Sequence, residues 1–194
     1  MKKNNWKKKS FIALFVCFTL LICGGCGCGD CEREVHYGYT SEDMIKKYQV
    51  SYSDEKKTTP IEENDVVVID IECYVDGKPM DILTRENEKV EIGDKWFFES
   101  ELFPELIGKT KGDKVEVNFK FDIKNTSGLE EWNGKDAIYK ATIKEVYFLA
   151  KPSDELAQKI ANDMDSDSDE DVKNIKTWQD FEEYWSFLEN PGKE

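Results

Sequence analysis

Six cysteines, a single histidine and an acidic run are the residues of this 194-residue chain whose types and spacing suggest chemistry. Cys28-Gly-Asp-Cys31 has the spacing of a redox pair, but no strand–helix–strand pattern surrounds it. Structural zinc needs two separated pairs of ligands, whereas Cys23, Cys26, Cys28 and Cys31 crowd into nine residues. Cys17 lies in an apolar run, and Cys73 lies in a strand pattern where a lone thiol packs as a small apolar group. The cysteine cluster therefore reads first as a flexible tether, next as an incidental disulfide, and last as zinc or redox chemistry. His36 stands in the same polar stretch, so the body of the chain has no histidine from which to build Ser-His or Cys-His machinery. No phosphate loop or dinucleotide fingerprint occurs. Asp163, Asp165, Asp167 and Asp169 alternate as calcium ligands do, but Ser168 stands where such a loop needs glycine and Asn174 where it needs glutamate. No metal and no cofactor is expected, and no residue with a catalytic acid, base or nucleophile role.

The net charge is −14, and the first 25 residues hold five lysines and no acid, so the rest of the chain is more acidic still. A polyanion repels nucleic acid, which is set aside as a partner. Lys2, Lys3, Lys7, Lys8 and Lys9 precede an apolar run over 11–22. That run is shorter than the roughly 20 residues of a membrane span and fits the core of a secretory signal. Gly24-Gly25-Cys26 resembles a bacterial lipoprotein cleavage box with Cys26 as the acylated residue and Cys23 as the second candidate; an uncleaved anchor is the runner-up. The expected location is the extracytoplasmic face of the cell membrane, reached through a lipid anchor.

The expected elements follow from period. Val115, Val117, Phe119 and Phe121 alternate with Glu116, Asn118 and Lys120, a half-buried strand entered through a turn that uses Gly108 and Gly112. A second strand covers 66–75 and ends at Asp76-Gly77, a hairpin signal. Val90 and Ile92 form a shorter strand, 96–107 contains one short helix near Pro104, and the last strand covers 137–147. Tyr48, Val50 and Tyr52 alternate and read as a first edge strand. The fold class is α+β, a bent antiparallel sheet wrapping one short helix. Beyond Pro152, helices are expected over 153–161 and 177–189, the second with a Thr177–Asp180 capping box. Trp178, Phe181, Trp185 and Leu188 make one apolar stripe on it, read either as packing or as a partner-binding face.

The phrases "VVVIDIECYVDGKPMD", "VEIG", "LIGKTKGDKVEVNFKF" and "NGKDAIYKATIKEV" occur in this order. Together they resemble an FKBP-type peptidyl-prolyl isomerase domain, in particular that of trigger factor. "KPSDELAQKI" and "IKTWQDFEEYW" are similar to the helices that follow that domain. The implied organisation is a signal peptide over 1–25, a tether over 26–47, an FKBP-like domain over 48–150 and an acidic helical arm over 151–194. A ribosome-docking domain has no counterpart, so the ribosome is not an expected partner; unfolded or proline-containing polypeptide is.

The resemblance implies a substrate pocket of Ile71, Met80, Asp81, Phe97, Phe98, Leu102, Phe119 and Tyr139. Such a pocket favours the twisted X–Pro amide over the planar one, without titrating groups. Ile71, Met80 and Leu102 stand where the family places rings, Glu88 replaces an apolar residue, and "KWFFESEL" replaces an Ile-Pro-Gly phrase. The implied function is a prolyl isomerase and folding helper; the alternative is an FKBP-like binding module that has lost catalysis and holds chains or docks a partner.

Overall fold

The computed structural model describes residues 39–97, 99–121, 132–164 and 170–189. The expected signal and tether up to residue 38, with Cys23 and Cys26, lie outside them, as do Phe98 and the acidic residues 165–169. The sheet is built on β1 (Val66–Val75), whose Val66, Val67, Ile69, Ile71 and Cys73 are fully buried. Along one edge β1 pairs with β5 (Asp136–Tyr147), from Val66 opposite Tyr147 to Val75 opposite Ala137. Along the other it pairs with β3 (Arg85–Glu91) and with the short β2 (Lys78–Pro79). β4 (Lys114–Lys120) lines the far edge of β5, and every one of these pairings is antiparallel.

Local chemistry explains the turns and the bend. Asp76 and Gly77 both have positive φ, 49° and 76°, as the tight Asp-Gly hairpin requires. The β1–β5 register slips between Val68 and Ile69, where β5 carries one extra residue. Such a bulge bends and twists the sheet. On β4 the alternation holds: Val115 and Phe121 are buried, Val117 and Phe119 half-buried, and Glu116, Asn118 and Lys120 exposed. A 3-10 turn (Ser100–Leu102) runs into α2 (Phe103–Leu106), which is short and carries Pro104 in its first turn. Leu102, Phe103 and Leu106 are buried in the sheet's core. Gly108 follows with φ 81°, and its N–H donates to the Ile61 carbonyl at 2.8 Å, which ties the helix exit to the segment that leads into β1. This is the expected α+β arrangement of a bent antiparallel sheet over one short helix.

Two features differ from the sequence reading. Tyr48, Val50 and Tyr52, expected as an edge strand, lie in α1 (Ser41–Tyr52), which extends the short helix that the sequence allows over 41–47 at the end of the expected tether. The reason is in the side chains around them. Thr40 and Asp43 form a complete capping box, and Met44, Tyr48 and Tyr52 follow at helical spacing. Tyr48 and Tyr52 agree with period two and with i, i+4 alike, and only the partner surface decides. That surface is the second core, formed by α3 (Asp154–Asp163), α4 (Glu170–Asn174) and α5 (Trp178–Glu189). The helix α4 was not expected.

The stripe on α5 is packing. Phe181 is fully buried and Trp185 is 7% exposed. The Tyr48 ring meets both, with centroids 5.6 Å away in each case. Thr177 Oγ1 accepts from the Asp180 N–H while the Asp180 carboxylate accepts from the Thr177 N–H, so the capping box forms as read. Phe181→Ala should therefore destabilise the helical unit by about 3–5 kcal/mol, measured by urea unfolding followed by tryptophan fluorescence. An unchanged midpoint would show that the stripe is not a core.

Candidate functional site

The sheet gathers the residues expected to form the pocket. Ile71 and Cys73 on β1 sit opposite Ala141 and Tyr139 on β5, so their side chains share the inner face. Met80 is brought back to them after the hairpin, where its N–H donates to the Cys73 carbonyl at 2.8 Å. Leu102 arrives from the 3-10 turn. Ile71, Met80, Leu102 and Tyr139 belong to one buried cluster, with Phe97 and Phe119 half-buried against it. The Phe119 ring stacks on Tyr139 at 4.3 Å and 17°, and Phe97 stacks on Phe103 at 5.3 Å and 16°. Asp81 is exposed, next to Ile82, which is 59% exposed. Phe98 lies outside the described residues.

The arrangement is a closed one. Ile71, Leu102 and Tyr139 have no exposed surface. Clefts of about 270 and 280 Å³ lie elsewhere, one on α3 and α4 and one between Tyr52 and residues 148–159. Among the described residues β4 is an edge strand, paired only with β5.

Polar groups are buried as well, and one of them, Glu99, the sequence reading missed. Glu99 is fully buried; its Oε1 accepts from Arg85 Nε at 3.0 Å, and its Oε2 has no hydrogen-bond partner among the described residues. The Tyr139 hydroxyl has none either. Burial pushes the Glu99 carboxyl above the ordinary glutamate range, against the pull of Arg85. Burial, reinforced by the Glu99 charge, likewise raises Tyr139, and the Cys73 thiol is pushed up to about 12 by burial and then by Glu99. Glu88 is raised by burial as well, with Arg85 opposing. No periodicity could have flagged Glu99. It lies between a pair of phenylalanines and a 3-10 turn, and an acid there reads as surface.

No protein-family model matches the chain. It is 33% identical over 124 residues to a trigger factor of Clostridium kluyveri, a match covering 62% of this chain and 28% of the relative. It is 38% identical over 104 residues to one from Agathobacter rectalis, with 54% and 22% covered. With one from Enterococcus faecalis the match is 33% over 150 residues, with 75% and 33% covered. The chain is similar to trigger factors. It spans a third or less of the length of these curated relatives. A solved structure described under promiscuous substrate recognition in folding and assembly by the trigger factor chaperone has a TM-score of 0.46 at 26% identity, covering 79% of this chain and 31% of that one.

The trigger-factor-like region thus carries two carboxyls, Glu88 and Glu99, that bind protons more tightly folded than unfolded. Their contribution to stability is complete below the ordinary glutamate value of 4.5 and is lost as pH rises through their raised values. Glu99→Gln removes one such group. From about pH 5 to about pH 8 the parent's Tm should fall more with rising pH than the variant's. Parallel Tm curves would show that Glu99 does not titrate in this way.

Proposed function

We propose that this chain is a folding helper held on the outer face of the cell membrane, where it binds proline-containing stretches of unfolded polypeptide and turns their X–Pro bonds slowly. The observation that carries this reading is the convergence of Ile71, Met80, Leu102, Tyr139, Phe97 and Phe119 in one apolar cluster, within the region similar to trigger factors. Rotation about an X–Pro bond faces a barrier of about 18–20 kcal/mol because the planar amide is resonance-stabilised. Dry apolar walls favour the twisted amide, whose carbonyl and nitrogen have lost that conjugation. Slow turnover follows from the makeup of the walls. Ile71, Met80 and Leu102 supply bulk without ring faces, and the cluster has to open before it can hold a proline.

One observation favours a binding module without turnover: the Glu99 carboxylate and the Tyr139 hydroxyl bring polarity into the space where the twisted amide gains from dryness. Refolding of a client limited by proline isomerisation, with the purified full chain, separates the two. The proposed reading expects a modest acceleration that falls toward the uncatalysed rate in Phe119→Ala, alongside suppressed aggregation of an unfolded client. Suppression without any acceleration selects the binding module, and the absence of both sinks the folding-helper reading.

The membrane location rests on the lysine-rich start and on Gly24-Gly25-Cys26. Cys26→Ala should abolish lipid labelling and leave the precursor unprocessed or the protein released. Unchanged labelling in that variant overturns the assignment, and labelling lost only in Cys23→Ala moves it to Cys23.

A further inference from the structure

β4 ends the sheet, so half of its backbone hydrogen-bonding groups face no described strand. Its bonds to β5 fall on odd-numbered residues: the Ile143 N–H donates to the Asp113 carbonyl at 3.0 Å, and the Phe121 N–H donates to the Lys135 carbonyl at 3.1 Å. Between these points the register runs without a slip, from Lys114 opposite Thr142 to Lys120 opposite Asp136. Only alternate residues of an antiparallel strand bond to a given neighbour. The N–H and C=O groups of Lys114, Glu116, Asn118 and Lys120 therefore point away from β5. The side chains of these four are exposed, while Val117 and Phe119 on the core face are only half-buried. Another strand laid along this edge would engage the outward backbone groups and cover both apolar residues.

We infer that the occupant of this edge is a second copy of the chain, its β4 antiparallel to the first about a twofold axis at Asn118. The net charge of −14 opposes association of copies, so the match has to be local. A twofold contact sets one surface against itself, and on this edge outward residues must face outward residues. An axis at Glu116 sets Glu116 against its own copy, and one at Val117 sets Lys114 against Lys120. With the axis at Phe119, no opposite charges within β4 face each other. With the axis at Asn118, Glu116 faces Lys120 on both sides, and Val117 faces Phe119 on the core face. Opposite charges directly across a ladder stabilise it, and like charges destabilise it. Lysines on an edge commonly keep a strand unpaired; here Glu116 between them makes one register attractive. Glu116 already pairs with Lys140 at 3.5 Å and Lys120 with Asp136 at 2.9 Å, but these pairs are solvent-exposed and weak, so they yield easily. The two Glu116–Lys120 pairs and the Asn118–Asn118 pair would add about six backbone hydrogen bonds, two for each.

Zero-length carbodiimide cross-linking of the purified full chain tests this directly. Residues four apart in one strand are separated by about 13 Å, so an amide between Glu116 and Lys120 forms only between copies. The expected result is a covalent dimer in which mass spectrometry maps that bond. Sedimentation gives a second reading. Glu116→Lys and Lys120→Glu, each alone, place like charges opposite each other on both sides of the axis and should weaken the dimer about tenfold. Combining the two substitutions restores opposite charges in the same register and should recover the parent's dissociation constant to within about threefold. Both side chains are exposed, so all three variants should keep the parent's Tm. A parent that is monomeric at about 100 μM overturns the inference. A dimer that lacks the Glu116–Lys120 bond, or that both single variants leave intact, is held by another surface and overturns it too. So does a combined variant as weak as the single ones. Each of these outcomes leaves the folding-helper reading as it stands.

Discussion

The ladder between β1 and β5 is the constraint on which the rest of the molecule depends. Antiparallel pairing from Val66–Tyr147 to Val75–Ala137 links residues some 60 to 80 positions apart in sequence, as the partners' own numbers show. It is what joins β2 and β3, which pair with β1, to β4, which pairs with β5, in one sheet. Its inner face carries Ile71, Cys73, Tyr139 and Ala141, so the ladder also sets the floor of the candidate site. The bulge at Val68/Ile69 bends the ladder, and the short helix α2 with Leu102, Phe103 and Leu106 fills the concave side.

The same floor holds a conflict of chemistries. Catalysis of amide rotation by solvent exclusion gains from apolar walls. Here a buried carboxylate pairs with a guanidinium at 26% side-chain exposure, and the hydroxyl of Tyr139 has no hydrogen-bond partner among the described residues. A buried ion pair gains little net stability over an apolar replacement, but removing one partner leaves an uncompensated charge. Arg85 and Glu99 are thus bound to each other's presence, and they make this site more polar than a simple proline slot.

Helices and sheet are joined by polar bonds as well as by chain. Gln49 Nε2 on α1 donates to the Ala150 carbonyl at 2.7 Å, and Ser53 Oγ accepts from the Ala150 N–H at 2.8 Å. Lys46 on α1 pairs with Glu91 at the end of β3 at 2.7 Å, and Lys89 on β3 donates to the Ser53 carbonyl at 2.7 Å. The helical unit therefore takes its first helix from before the sheet and its other three from after it, so the sheet is an insertion between parts of one helical core.

Local and periodic features were legible from sequence alone. The β4 alternation, the β1 apolar run, the Asp76-Gly77 turn, and the Thr177–Asp180 cap are short-range, and each is decided by backbone sterics or by hydrogen bonds within a few residues. The strand periods also put Ile71 and Tyr139 on the buried face of the sheet. Tertiary structure alone decided the features whose local signal is degenerate or misleading. Tyr48 and Tyr52 satisfy strand and helix spacing alike, and contact with Phe181 and Trp185, more than 130 residues on by their own numbering, selects the helix. Glu99 reads as a surface acid, because its burial and its bond to Arg85 on β3 arise only when the chain folds. A residue's own type sets what bonds it can make, but whether water or protein supplies them is settled only when distant strands close around it.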